Sequence, residues 1–526
     1  MTASPLTARP LTPFEGMDIR TLVDEQAARR GEHPFLIWEP FDGEGETWSY
    51  ARFADTLCRF AAGLVARGVK PGERVLVHLD NCPHSVIAWL GCAYAGAVAV
   101  TTNAKSAKDE LAYFASHSGA VGAITQPKFA DLLAAAAPDL PWRLVTADDN
   151  GDAPAAFDAD FEPVSALDAD PATLPARPHD PWAPFAIQYT SGTTARPKAV
   201  LWTHANALWG GRLCAQHEDL TEADVHLVHL PMFHTNAQAY SVLASLWAGC
   251  TVVLQPRFSA SRFWPVSLKH GATWNSMVPF CAKALMSQPV PEQHSYRFWG
   301  NGVCEPGWDR HFRVKTIGWW GMTETITHGT VGNARRPDAP MSMGRPAPGY
   351  EIHVLDEAGQ PTPVGEVGDL FVRGVPGLSL FLEYAGDPEA TARAYTPDGL
   401  FITGDKVRVG ENGFLYFADR AKDMLKVGGE NVAASEIERV IAGVPGVSEV
   451  AVVAMRHPML DEAPAAFVIP QPGKAEGLEA AIAAACADAL AVFKRPHLVR
   501  LVDALPRSTL EKVAKAELRA LLAAED

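Results

Sequence analysis

Residues 189–200 read Tyr-Thr-Ser-Gly-Thr-Thr-Ala-Arg-Pro-Lys-Ala-Val, and the nine positions from Thr190 to Lys198 hold four hydroxyls (Thr190, Ser191, Thr193, Thr194), Gly192 and the Lys198 ammonium. Short hydroxyl donors, backbone N–H groups that a glycine lets come close, and one cation together suit a polyphosphate. The segment is not a Walker A loop. Lys198 follows Pro197 and precedes Ala199, so the GxxxxGK[ST] pattern fails and P-loop GTPase or kinase chemistry is set aside. Further along, Glu324 in Gly-Met-Thr-Glu-Thr offers a hard oxygen ligand for Mg²⁺ beside phosphate. Asp405 follows Thr403-Gly404, where its two oxygens can accept from both hydroxyls of a ribose, and Arg420 can donate to the same sugar.

An α/β scaffold has to position these groups. The run PFAIQY reads as the strand that delivers the hydroxyl-rich loop. Between residues 50 and 130, amphipathic runs (YARFADTLCRFAAGLVARGV) alternate with short apolar ones (ERVLVHL, AVAVTTN), the rhythm of a parallel sheet covered by helices. The Asp-, Ala- and Pro-rich stretch 148–184 reads as a loop-rich crossing where two α/β subdomains meet. Between 340 and 420, short strands with Gly and Pro turns predict a small, twisted, mostly antiparallel sheet. Beyond Arg420, an amphipathic helix (AASEIERVIAG), two strands (EVAVVAM, AAFVIP) and a helical C-terminus make a separate small α+β domain.

Bulk properties narrow the function. The chain has 526 residues, 48% hydrophobic and 20% charged, so at about 150 residues per domain it should form three or four units. Lys and Arg total 45 against 61 Asp and Glu, a net charge of −16 with no basic stripe, which disfavours nucleic acid as a partner. Eight scattered cysteines without a CxxC pair read as reduced, small apolar residues of a cytosolic protein. The three prolines in MTASPLTARPLTPFEGMD interrupt any apolar stretch, so no export signal is expected. The run Val86 to Val100, with two glycines, falls short of the roughly twenty residues of a membrane span and reads as a buried helix and strand. A cytoplasmic protein without stable membrane insertion is expected.

The 189–200 segment resembles the phosphate loop YTSGTTGxPKG of the adenylate-forming superfamily of acyl-CoA synthetases, luciferases and peptide-synthetase adenylation domains, with Ala195 and Ala199 at two glycine positions. LPMFHTN (230–236), WWGMTET (319–325), FITGD (401–405), DRAKDMLKVGGENV (419–432) and PRSTLEK (506–512) resemble the superfamily's later signatures in its order. Nearly the whole chain is covered. The resemblance implies an α/β fold in which residues 1–418 form a large N-terminal domain of two doubly wound α/β subdomains plus a small β-barrel-like subdomain. Residues 419–526 are then a small mobile α+β domain, hinged near 419–423 with Lys422 as pivot.

The same resemblance implies ATP, Mg²⁺ and coenzyme A, and assigns roles. Thr190, Ser191, Gly192, Thr193, Thr194 and Lys198 line the phosphates; Thr190 and Glu324 hold the metal, with Thr323 beside them. Gly302 and Val303, in Asn301-Gly-Val-Cys-Glu305, border adenine, and Trp320 stands where the family stacks an aromatic on it. Asp405 and Arg420 address the ribose, and His234 bounds the acyl pocket. Lys512 bridges the attacking carboxylate and the α-phosphate, although Asp419 and Glu511 replace family glycines. Gly428 and Gly429 line the pantetheine passage, where a side chain would block the thiol.

The implied reaction has two halves. A small-molecule carboxylate has no tolerable leaving group, so it is first joined to AMP with loss of pyrophosphate; a thiol then displaces AMP. His234 stands where amino-acid-activating domains offer Asp, and the wider text (FSASRFWPVSLKHGATWNSMVP, SMGRPAPGYEIHVLDEAGQPTPVGEVGDLFVRGVPG) is similar to crotonobetaine/carnitine-CoA ligases. A quaternary ammonium acid would need an aromatic enclosure worth about 0.5–2 kcal/mol per contact, for which Trp209, Trp247, Trp274 and Trp299 are candidates. Short aliphatic or aromatic acids are equally admissible, as are transfer to a separate carrier protein and a silent nucleotide-binding homologue.

Overall fold

The apolar run around residues 86–100 forms the helix Pro83–Ala95 and the strand Val98–Thr101, and nearly every residue of both is buried. Pro83 starts the helix with its φ already suited, and Gly96, at φ +80°, ends it in the left-handed conformation. The computed structural model describes residues 11–106, 108–147, 161–190, 197–420, 423–427, 430–458, 460–490, 492–507 and 513–525. They fall into two compact units, Met1–Glu351 with Arg373–Phe401, and Ile352–Val372 with Ile402–Asp526. The fold is mixed α/β.

The first unit holds two large sheets. In the eight-stranded sheet, Arg74–His78 lies between Val98–Thr101 and Gly122–Thr125 in parallel pairs, and Pro184–Thr190 follows beside Val98–Thr101. Each central strand is apolar because helices cover both faces, so no polar alternation is needed. The helix Tyr50–Ala66 turns Phe53, Leu57, Phe60 and Leu64 inward, and Ser49 caps it by accepting from the Arg52 N–H. In the nine-stranded sheet, Pro34–Trp38, Thr251–Leu254, Val225–Val228, Trp274–Ser276, Phe298–Asn301 and Lys315–Gly321 run parallel. Strand order departs from chain order, so crossovers are required.

In open sheets of this kind ligands gather beyond the carboxyl ends of the strands. Val225–Val228 leads there into 230–236, Phe298–Asn301 into Gly302 and Val303, and Lys315–Gly321 into the Thr323–Thr325 turn. Every candidate segment of the second sheet therefore leaves from one edge. Below it the sheet is packed with indoles. Trp274 and Trp299 are fully buried, and Trp319 stacks on Trp274 at 6.0 Å and 5°. Trp274 and Trp299 are thus core residues, and Trp209 and Trp247 are each half-buried against other rings, Tyr350 and Phe14.

The second unit contains a four-stranded sheet, ordered Glu351–Leu355, Val367–Arg373, Phe401–Val409, Leu415–Arg420. A second sheet joins Glu430–Ala433, Met424–Val427, Asp461–Pro470 and Val447–His457, with Leu498–Leu501 added in parallel to Asp461–Pro470. The helix Ala434–Ala442 packs Ile437 and Ile441 into its core. All eight cysteines are free, and only Cys58 is not fully buried. Among the described residues no helix is long and apolar enough to cross a membrane.

One close approach limits the sequence near the site. A Cβ on Gly300 would lie 1.5 Å from the Trp319 indole. Gly300→Ala should destabilise the protein by at least about 1–3 kcal/mol, read as a lowered urea midpoint, whereas Gly302→Ala, which meets nothing within 4 Å, should leave it in place.

Candidate active site

The site is built on a hairpin. Pro184–Thr190 pairs antiparallel with Lys198–Thr203, and the register sets Thr190 directly opposite Lys198. Ser191, Gly192, Thr193 and Thr194 lie outside the described residues. A two-residue strand, Glu383–Tyr384, adds to the outer edge of Lys198–Thr203, with Tyr384 opposite Val200. That pairing carries the phenol ring under the lysine, whose Nζ is 4.5 Å from the ring centroid.

The Tyr384 hydroxyl donates to Glu324 Oε1 at 2.9 Å. Glu324 is only 5% exposed, so an acceptor-only carboxylate is held out of water against a phenol donor. Burial, and then the neighbouring Glu324 charge, push the Tyr384 phenol far above its ordinary pKa, so it stays a donor. The Phe381 N–H binds the Glu324 carbonyl at 2.8 Å, tying the same edge to the turn a second time.

The turn itself is strained. Ile326 follows it at φ +62°, a conformation a β-branched residue rarely adopts, and the residue is fully buried. Thr325 Oγ1 receives the Met322 N–H at 3.0 Å, Trp202 Nε1 donates to the Thr323 carbonyl at 2.9 Å, and Tyr350 donates to the Thr325 carbonyl. Thr235 Oγ1 lies 3.1 Å from Thr323 Oγ1 and 3.0 Å from Gln188 Oε1, joining both sheets at one point. Thr190, Lys198, Thr323 and Glu324 are thereby brought to one place.

His234 is half-buried with its ring 4.5 Å from Phe233, and a π-helical turn, Asn236–Leu243, begins just after Thr235. Such turns occur often at functional sites. Gly302 is exposed, and Val303 accepts from Asn301 Nδ2 at 3.1 Å. Trp320 is 7% exposed and pairs with Thr330 across the strand.

The second unit holds the other candidates. Asp405 is buried in Phe401–Val409, and its cross-strand partner is Arg420, so the two positions sit side by side on one sheet. Arg507 and Val513, on either side of the Lys512 segment, form an antiparallel bridge. Lys422, Gly428, Gly429 and Lys512 lie outside the described residues. Sequence reasoning missed Tyr384: a two-residue strand in Phe-Leu-Glu-Tyr-Ala-Gly carries no periodicity that could flag it.

Residues 23–384 match the family model described as AMP-binding enzyme, and residues 436–512 match that of the AMP-binding enzyme C-terminal domain. The chain is 34% identical to a crotonobetaine/carnitine–CoA ligase of Salmonella typhi, covering 96% of this chain and 99% of the relative. A Citrobacter koseri protein of the same name is also 34% identical, with the same coverage. Among solved structures, ATP-bound MatB from Rhodopseudomonas palustris aligns with a TM-score of 0.84 at 27% identity, over 96% of this chain and 99% of that one. A benzoate CoA ligase from Burkholderia xenovorans LB400 aligns at 0.83 and 25%, over 96% and 100%.

Proposed function

Because the chain belongs to the AMP-binding enzyme family, we propose that Thr190, Lys198, Tyr384 and Glu324 form the part of its site that holds a triphosphate and its metal ion. The protein is an ATP-dependent acid:CoA ligase, an AMP-forming enzyme that works through an acyl-adenylate. It joins a small-molecule carboxylic acid to AMP with release of pyrophosphate, then passes the acyl group to coenzyme A with release of AMP. The observation that carries the assignment is the continuous contact from Lys198 through the Tyr384 ring to Glu324.

The physics follows from charge. A carboxylate approaching a polyphosphate is repelled, and one unit charge at 4 Å is worth about 4 kcal/mol at an effective dielectric of 20. Lys198 supplies a fixed cation at the hairpin end, held over an aromatic face that favours it. The donor set fits Mg²⁺: Glu324 is a hard, buried carboxylate whose direction Tyr384 sets, and Thr190 is the hydroxyl opposite Lys198. When bound there, Mg²⁺ supplies neutralisation of phosphate charge. Tyr384 orients the carboxylate rather than touching substrate, and is a positioning residue.

Gly302 and Val303 leave the carboxyl edge of the second sheet and Trp320 stands near the end of the strand that leads to the Glu324 turn, as an adenine-binding wall would. His234 bounds the acyl group. In the second unit, the adjacent Asp405 and Arg420 serve the ribose, Lys512 the adenylation step, and Gly428 with Gly429 the thiol step. The reading of Lys512 and the glycines rests on their motifs.

Three variants and a substrate panel test this. Tyr384→Phe removes one hydrogen bond to a charged group, worth about 1–3 kcal/mol, so pyrophosphate release should fall about fivefold or more with a raised Mg²⁺ requirement; an unchanged Mg²⁺ dependence would contradict the positioning role. Lys512→Ala should lower acid-dependent pyrophosphate release at least about a hundredfold while thioester formation from preformed acyl-AMP survives. Gly429→Leu should do the reverse and accumulate the adenylate. A panel of carboxylic acids, from carnitine-like to aromatic, assayed for pyrophosphate release identifies the substrate.

A further inference from the structure

The helix His204–His217 ends against the strand His328–Val331, and Cys214, Glu218 and His328 meet there, each fully buried. Cys214 and Glu218 stand four residues apart, on one face of the helix end. The thiol sulfur, a carboxylate oxygen and an imidazole nitrogen all lie within 4.8 Å of one another, and His328 Nε2 is 3.9 Å from Glu218 Oε1. Neither oxygen of Glu218 and neither ring nitrogen of His328 has a hydrogen-bond partner. One such group left bare in an interior costs about 1–3 kcal/mol, and here four bare atoms belong to two facing side chains.

We propose that Cys214, Glu218 and His328 bind one divalent transition-metal ion of the zinc class. The donor set of sulfur, nitrogen and oxygen is that of zinc, and unlike the all-oxygen set that suits Mg²⁺. A thiolate and a carboxylate cancel the two positive charges of the ion, so the loaded site is neutral in an apolar interior. Bonds of about 2.0–2.3 Å set ligand separations near 3.3–3.8 Å, so the three groups have at most about 1.5 Å to close. Without an ion, burial pushes the Cys214 thiol and the Glu218 carboxyl up and the His328 imidazole down, and the carboxyl and the imidazole keep no hydrogen-bond partner.

The surroundings hold the ligands in place. His328 stacks on Trp319 at 4.2 Å and 17°, with Tyr240 at 4.2 Å beside it, and Cys214 Sγ meets Thr327 Oγ1 at 2.8 Å. Thr327 and His328 directly follow the strained Ile326 turn, and Tyr240 belongs to the π-helical turn after His234. A metal here ties the helix end to the strand behind the Glu324 turn, a structural role. It stands independently of the nucleotide reading.

The test uses the full chain, stripped with chelator and titrated without ATP or Mg²⁺. One equivalent of Co²⁺ should bind with a thiolate-to-cobalt charge-transfer band, be displaced by one equivalent of Zn²⁺, and Zn²⁺ should raise the Tm. Cys214→Ser, which changes only sulfur to oxygen, should lose the band, and Glu218→Gln should keep it while weakening affinity by about tenfold or more. X-ray absorption at the zinc edge of the wild-type chain keeps the question decidable if the variants fail to fold: one sulfur in the shell supports the site, and a shell of nitrogen and oxygen alone overturns it. Absence of stoichiometric Co²⁺ and Zn²⁺ binding, or a band that persists in Cys214→Ser, also overturns it.

Discussion

Glu324 is a carboxylate removed from water, and the Tyr384 hydroxyl donates to it. Much of the first unit follows from that bond. For Tyr384 to reach Glu324, the two-residue strand Glu383–Tyr384 must pair with Lys198–Thr203, and this pairing also carries the ring under Lys198. Residues at 198, 324 and 384 are thereby fixed relative to one another by a phenol that uses both its face and its edge. The ring therefore carries a cation against its face and a carboxylate at its hydroxyl.

The two sheets contribute differently. The eight-stranded sheet presents a hairpin end with a cation and a hydroxyl in register, while the nine-stranded sheet presents the carboxyl ends of parallel strands. Thr235, between Gln188 and Thr323, joins the two contributions at one point. The backbone around Ile326 stores strain that the packing of Tyr350 and Trp202 sustains, as is common where a turn must aim one side chain.

Much of this was legible in the sequence where local pattern and fold agree. PFAIQY is a short apolar run ahead of a hydroxyl-rich stretch, so its strand could be read directly; the Val86–Val100 run was too short for a membrane and became a buried helix and strand. Tyr384 could not be read, because a two-residue strand exists only through its partner. Which tryptophans are core could not be read from their count: Trp274 and Trp299 fill the space beneath the sheet, where size rather than cation recognition explains them. Cys214 looked like a small apolar residue, and only the fold reveals Glu218 and His328 facing it, since their separation of more than a hundred positions in the chain hides the cluster.

The central claim is that the acid is activated by direct attack of its carboxylate on the α-phosphate of ATP. Supplying the acid with oxygen-18 in its carboxyl group, together with ATP, Mg²⁺ and coenzyme A, tests it most directly. The account predicts that mass spectrometry finds one labelled oxygen in the AMP released and none in pyrophosphate. Unlabelled AMP, with the heavy oxygen in phosphate or pyrophosphate, contradicts it.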